Sequence, residues 1–395
     1  MKHIAVIGAS LAGLSAARAL RSQGFEGTVT VVGAEVHRPY DRPPLSKRFL
    51  TGELTADDLA LEGEGEQLDV HWRLGVAATG LDLGARSVEL SDDTQLRADG
   101  FVLATGAHAR ALPGSPAIGG VHTLRTIEDA EALRRALVPG ARLIVVGAGF
   151  IGAEVAGTAR SLGLDVTVIE ALAVPMLAQL GPEMGAALAT LHDDHGTRLI
   201  CGIGVATLTT ATTDVTDVNG SIVTGVTLTD GRHLPADVVL VGIGATPTIE
   251  WLASSGLASR NGVLCDAGGA SSVATVVAAG DCAAWLDPST GTHHRQEHWT
   301  SAIDQPAIAV ATLLNGGVHQ GAGMRAPYFW SDQYGARIQF AGSVLPGDEV
   351  VIEDGSVAER AFLAVYRRAG EPVAVLSLNR GKLFTRWRRQ LQEVS

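Results

Sequence analysis

Two stretches of the chain repeat one pattern, and that repeat limits the folds open to it. Lys2–Ile7 reads as a buried parallel strand. Gly8-Ala9-Ser10-Leu11-Ala12-Gly13 follows at once, then an Ala-, Leu- and Arg-rich segment, Leu14–Ser22, of good helix propensity. Gly24 and Gly27 end that helix, and Thr28–Val32 is a second, β-branched strand. The pattern then recurs from residue 142. Arg142–Val146 is a strand, Gly147-Ala148-Gly149-Phe150-Ile151-Gly152 is a glycine turn, Ala153–Leu162 is helical, and Leu164–Ile169 is a strand ending in Glu170.

Strand, glycine turn, helix and strand make a dinucleotide-binding unit. The first glycine permits the tight turn and the last lets helix and strand pack closely. The helix N-terminus then offers free N–H groups and the positive end of its dipole to a pyrophosphate. The second copy is complete: Gly147, Gly149, Ile151 and Gly152 precede an acid, Glu170, about twenty residues on, where it can accept both ribose hydroxyls. A carboxylate there repels a 2′-phosphate, and no arginine follows before Arg198, so NADH is expected over NADPH. The first copy departs in two places. Ser10 replaces the middle glycine, and the acid, Glu35, comes two residues after the strand end at Gly33.

Between and after these units lie more strand ends of the same chemistry. Gly100–Ala104 is a buried strand running into Thr105-Gly106, Ala236–Val241 runs into Gly242-Ile243-Gly244, and Val273–Ala278 runs into Gly280-Asp281-Cys282. Small residues at a strand end let a ligand approach the backbone. Asp281 is placed to accept hydrogen bonds from a polyol, or to cap a following helix. Three prolines in Arg38-Pro39-Tyr40-Asp41-Arg42-Pro43-Pro44-Leu45-Ser46-Lys47 exclude helix until Leu45. Lys47 is one of three lysines against twenty-seven arginines, and with Arg42 it is a candidate to face a bound anion or flavin. Thr126, with Asp129 three residues on, predicts an N-capped helix over 126–137. Leu112-Pro113-Gly114 reads as a linker, residues 205–235 as an antiparallel meander, and Ser301–Leu313 as a helix entered through Trp299.

The fold class is therefore α/β: two Rossmann-like dinucleotide-binding domains plus a C-terminal α+β domain. The expected domains are 1–108 with 242–322, then 109–241, then 323–395. A net charge of −12 disfavours nucleic acid as partner. The most apolar window, Leu143–Ala156, is broken by glycines and Glu154, so no membrane span is expected. Three widely spaced cysteines and no leader before the first strand fit a reducing cytoplasm. His293, His294 and His298 lack metal-ligand spacing, and no metal site is expected.

Arg38–Lys47, Gly280-Asp281-Cys282, Glu297–Trp299 and Tyr328–Tyr334, together with both glycine loops, resemble one family along nearly the whole chain. It is the two-dinucleotide-domain flavoprotein family of glutathione-reductase fold, and within it the NADH-dependent ferredoxin reductases that serve oxygenases. The resemblance implies that Gly8, Ser10, Ala12, Gly13 and Glu35 hold the pyrophosphate and adenosine ribose of FAD, with Ala78 at the adenine. Arg42 and Lys47 would contact the flavin end. Thr105, Gly106, Arg125, Gly280 and Asp281 would meet the pyrophosphate–ribitol stretch, and Trp299 the isoalloxazine. NADH would lie on Gly147, Gly149, Ile151, Gly152, Glu170 and Gly244. Glu154, paired with Lys47, would sit near the nicotinamide as the catalytic pair.

The implied activity is electron transfer from NADH through FAD to a 2Fe–2S ferredoxin that feeds a Rieske oxygenase or haem monooxygenase. Disulfide reductases of this fold need redox cysteines near the chain start, and residues 38–50 hold none. Two other readings are an NADH oxidase or diaphorase using oxygen or a quinone, and a signalling flavoprotein resembling apoptosis-inducing factor. Arg380, Lys382, Arg386, Arg388 and Arg389 form a basic stretch, read either as a solvated terminal helix or as a dock for an acidic ferredoxin.

Overall fold

The computed structural model describes residues 1–113, 118–212, 220–288, 290–320 and 326–394. The expected linker leaves these residues at Gly114, and the tip of the 205–235 meander and the 322/323 boundary lie outside them. Six helices are described: α1 (Leu11–Ser22), α2 (Ile127–Ala136), α3 (Phe150–Ser161), α4 (Leu177–Asp194), α5 (Trp299–Leu314) and α6 (Gly381–Val394). The chain forms two compact units. The first holds Met1–Asp41, Leu59–His108 and Thr246–Pro327; the second holds Arg42–Asp58, Ala109–Ala245 and Tyr328–Ser395.

The first unit is built on a five-stranded parallel sheet in the order Val276–Ala278, Gly100–Leu103, His3–Ile7, Thr28–Gly33, His71–Leu74. A parallel sheet is covered on both faces, so its strands must be apolar on both. Ile4, Ala5, Val6 and Ile7 are accordingly buried. Helix α1 joins the central strand to its neighbour, and Ala16, Ala17 and Leu20 of α1 share a core with Ala309, Val310 and Leu313 of α5. An antiparallel meander, Ala78–Asp82, Ser87–Leu90 and Gln95–Arg97, adds to this unit.

The second unit repeats the plan with the parallel order Arg198–Cys201, Asp165–Glu170, Arg142–Val146, Val238–Val241, Val121–His122. Helix α2 begins as the sequence predicts. The Thr126 hydroxyl accepts the Asp129 N–H, and Asp129 accepts the Thr126 N–H in return, a reciprocal cap. The unit also carries a five-stranded antiparallel sheet, ordered Tyr328–Gln333, Ala336–Gly342, Glu371–Leu378, Ala361–Arg368, Glu349–Ser356. Leu180, Met184 and Leu188 of α4 pack with Phe340, Phe362 and Tyr366 of that sheet, while Phe384 and Leu391 of α6 pack with Leu363 and Val365.

Three local expectations change. Gly280–Cys282 is a 3-10 turn that runs into the strand Ala283–Asp287, so Asp281 caps no helix. The turn expected from Leu45 begins at Pro43, where proline suits a first helical position. Helix α5 starts at Trp299, two residues before its predicted start.

Candidate active site

In the first unit the glycine loop is fixed by backbone crowding. Gly8 has φ +122°, and a Cβ there would stand 2.0 Å from the Ala104 carbonyl oxygen. A Cβ at Gly13 would stand 1.8 Å from the Gly8 carbonyl oxygen, so both positions exclude any side chain. Ser10 takes the N-cap position of α1 with extended backbone. Ala12, in the first turn, faces Gly280, whose added Cβ would come within 2.9 Å of the Ala12 Cβ. The Gly280 N–H is held by Gln305 Oε1 of α5 at 2.8 Å. Thr105 Oγ1 donates to the Thr248 carbonyl at 2.6 Å, and the Thr248 N–H returns to the Gly106 carbonyl. The strand ends carrying Thr105-Gly106 and Gly280-Asp281 thus meet the α1 N-terminus at the same edge of the parallel sheet.

Glu35 lies beyond its strand, and Tyr40 Oη donates to Glu35 Oε2 at 2.5 Å. Trp299 Nε1 donates to Asp41 Oδ1 at 2.8 Å, which orients the ring at the start of α5. Ala78 opens the meander at an irregular register, half-buried. Tyr40 and Asp41 were not singled out from sequence. Their only signal was membership of the Arg38–Lys47 motif.

In the second unit the crowding repeats. Gly147 has φ +101° and would place a Cβ 2.4 Å from the Gly242 carbonyl oxygen; a Cβ at Gly152 would stand 2.1 Å from the Gly147 carbonyl oxygen. Gly149 and Gly244 differ, because a Cβ at either meets no protein atom within 4 Å. Open space at Gly149, the N-cap of α3, leaves the helix N-terminus accessible to a pyrophosphate. Ile151, in the first turn of α3, is exposed. Glu170 Oε2 accepts the Ala148 N–H at 2.8 Å and Oε1 accepts the Leu172 N–H at 2.9 Å. The acid is therefore locked beside the glycine loop.

Glu154 is buried on α3 and is the centre of a dense network. Its Oε2 accepts from Lys47 Nζ at 2.7 Å and from Ser46 Oγ at 2.5 Å. Its Oε1 accepts from Ser331 Oγ at 2.8 Å and from the Asp332 N–H at 3.3 Å. Lys47 also reaches Ser46 Oγ at 3.2 Å, and Thr158 Oγ1 donates to the Ser46 carbonyl. A buried carboxylate is tolerated only with such saturation. The expected Lys47–Glu154 pair is present, but Ser46 and Ser331 were not foreseen. Arg42 Nη1 donates to the Arg125 carbonyl at 2.6 Å, which ties these two candidates together.

The cysteines stand apart from this chemistry. Cys265 and Cys282 are buried, and burial pushes both thiols up; half-buried Cys201 is pushed up as well. Among the described residues no cluster of His, Cys, Asp or Glu could hold a metal ion. No described helix is long and apolar enough to cross a membrane. The basic residues of α6, and Arg380 just before it, divide. Arg380 pairs with Asp354, and the Arg388 guanidinium lies 4.0 Å from the Tyr328 ring centre, while Lys382, Arg386 and Arg389 are exposed.

A family model described as pyridine nucleotide-disulphide oxidoreductase matches residues 2–306. The chain belongs to that family. A second model, described as reductase C-terminal, matches residues 328–394, the antiparallel sheet and α6. Among family members the chain is 39% identical to rhodocoxin reductase of Rhodococcus erythropolis, over 91% of this chain and 82% of that one. It is 37% identical to the ferredoxin–NAD(+) reductase component of the biphenyl dioxygenase system of Paraburkholderia xenovorans, over 95% of this chain and 86% of that one. The covalent putidaredoxin reductase–putidaredoxin complex has the same fold, with TM-score 0.91 and 32% identity over 99% of this chain and 93% of that one.

Proposed function

We propose that the chain is an FAD-containing, NADH-dependent reductase that passes electrons to a small 2Fe–2S ferredoxin, and through it to an oxygenase. The observation that carries this reading is likeness along 95% of the chain to a relative named as a ferredoxin–NAD(+) reductase component. The cysteine pattern supports it. A family member that worked through a disulfide would need redox cysteines near the chain start; residues 38–50 hold none, and the first cysteine is Cys201.

The chemistry that FAD and NADH supply when bound is acceptance of a hydride followed by release of single electrons. The protein's share is placement. In the first unit, Gly8, Ser10, Ala12 and Gly13 bring the α1 N-terminus to the FAD pyrophosphate, and Glu35, steered by Tyr40, takes the adenosine ribose, with Ala78 at the adenine. Thr105-Gly106 and Gly280-Asp281 close the same edge, and Trp299, held by Asp41, offers its ring to the isoalloxazine. In the second unit, Gly147, Gly149, Ile151, Gly152 and Gly244 receive the NADH pyrophosphate, and Glu170 selects a free 2′-hydroxyl. Glu154, one helical turn further along α3, and Lys47, paired with it from the turn that ends at Ser46, serve the nicotinamide end. Arg42 and Arg125 are held together in that unit as further cofactor contacts.

The test is NADH-driven reduction of cytochrome c by the purified yellow protein, with and without a 2Fe–2S ferredoxin. A rate that depends on ferredoxin supports the reading; fast NADH use that ignores ferredoxin and consumes oxygen replaces it with an oxidase.

A further inference from the structure

Glu154 accepts four hydrogen bonds, and only one comes from its ionic partner. The oxygen facing Lys47 is shared with Ser46, whose hydroxyl also receives the Lys47 ammonium at 3.2 Å. The other oxygen depends on the Ser331 hydroxyl at 2.8 Å, since the Asp332 N–H beside it is long at 3.3 Å. Ser331 is fully buried on the first strand of the antiparallel sheet, and its oxygen in turn accepts from Gln333 Nε2 at 3.1 Å. With one donor set on each oxygen, the carboxylate has no freedom to rotate, and Lys47 has one place to go.

We propose that Ser331 is a positioning residue for Lys47. By occupying Oε1 of Glu154 it holds Oε2 turned toward the ammonium, so a hydroxyl on the antiparallel sheet sets the place of the catalytic lysine. Without that hydroxyl Oε1 is left to one long contact, and a buried carboxylate oxygen short of donors turns to recruit others. Among the described residues, the short donors left to this carboxylate are Ser46 and Lys47. When Oε1 turns to take the Ser46 hydroxyl, Oε2 swings off the ammonium, and Lys47 loses its 2.7 Å contact and becomes more open to solvent. The catalytic consequence rests on the reductase reading; the geometric one does not.

The scarcity of lysine makes this measurable. Lys2 and Lys382 are exposed and Lys47 is half-buried in its pair, so an amine-reactive reagent followed by mass spectrometry reads Lys47 against two internal standards. In wild type Lys47 should label at least about tenfold more slowly than Lys382, the protection expected of an ammonium hydrogen-bonded to a buried charge. In Ser331→Ala the ratio should collapse to within about threefold, and Ser331→Cys, equal in size but a weak donor, should fall between. The kcat for NADH with ferricyanide as acceptor should fall by about the same factor, with a smaller change in the KM for NADH. Lys47 labelled as slowly as in wild type, in either variant with an unchanged far-ultraviolet spectrum, overturns the proposal. Labelling needs neither electron donor nor acceptor, so the result is independent of whether wild type reduces a ferredoxin.

Discussion

The Glu170 carboxylate accepts the Ala148 N–H at 2.8 Å, so the acid that ends the second strand is anchored to the glycine loop it serves. The Leu172 N–H on its other oxygen, at 2.9 Å, holds the same orientation from the far side. Replacing Glu170 by Ala should therefore weaken NADH more than NADPH. The expected outcome is a rise of about tenfold in the KM for NADH, equivalent to about 1.4 kcal/mol, and a narrowing of the NADH/NADPH ratio in kcat/KM by at least that factor. Steady-state kinetics with both nucleotides check it.

Two glycines of one loop should answer differently to the same substitution. Gly152→Ala drives a Cβ to 2.1 Å from a backbone oxygen, so the variant should lose several kcal/mol of stability or fail to fold. Gly149→Ala meets no protein atom within 4 Å, so its melting temperature should stay within about 2 °C of wild type while NADH binding weakens about tenfold or more. Calorimetry and nucleotide titration separate the two.

These glycines also show what a sequence can reveal. Both loops, Glu170 and the Thr126 cap are legible because local spacing announces them, and Lys47 because lysine is rare here; its pairing with Glu154 is implied only by the family resemblance. Ser331 and Ser46 are not, since their value lies in meeting Glu154 across more than a hundred residues of chain. Tyr40 and Asp41 are hidden for a similar reason: a loop of three prolines hides which side chains point inward. Asp281 leaves two readings open in the sequence because glycine followed by Asp suits a helix cap as well as a turn, and the pairing of Ala283–Asp287 with its neighbouring strands removes the cap.

His192 makes stability depend on pH. It is buried, its Nδ1 is 2.8 Å from Tyr334 Oη, and burial lowers it from the ordinary value to about 4. The folded value lies below the unfolded one, so the unfolded chain takes the proton first. Stability is thus full above the unfolded value and falls as pH drops from there toward about 4. Between about pH 7 and about pH 5 this group alone should cost about 2 kcal/mol. His192→Gln, which can keep a hydrogen bond to Tyr334, should flatten the dependence of melting temperature on pH over that interval.

On α6 only the exposed cations are free to steer a partner. Changing Lys382, Arg386 and Arg389 together to Gln should raise the KM for ferredoxin several-fold at low salt, with the difference vanishing as salt screens the charges. Ferricyanide reduction should not change. Equal ferredoxin kinetics at low salt would remove α6 as the dock.

The central claim is that electrons enter from NADH and leave to an iron–sulfur protein, and anaerobic stopped-flow spectroscopy tests it most directly. Mixing the yellow protein with NADH should bleach its visible absorption, with NADPH far slower. Mixing the bleached protein with oxidised 2Fe–2S ferredoxin should restore the colour within the time of a turnover as the ferredoxin is reduced. A protein that NADH bleaches but ferredoxin leaves bleached, while oxygen restores it at once, would contradict the account.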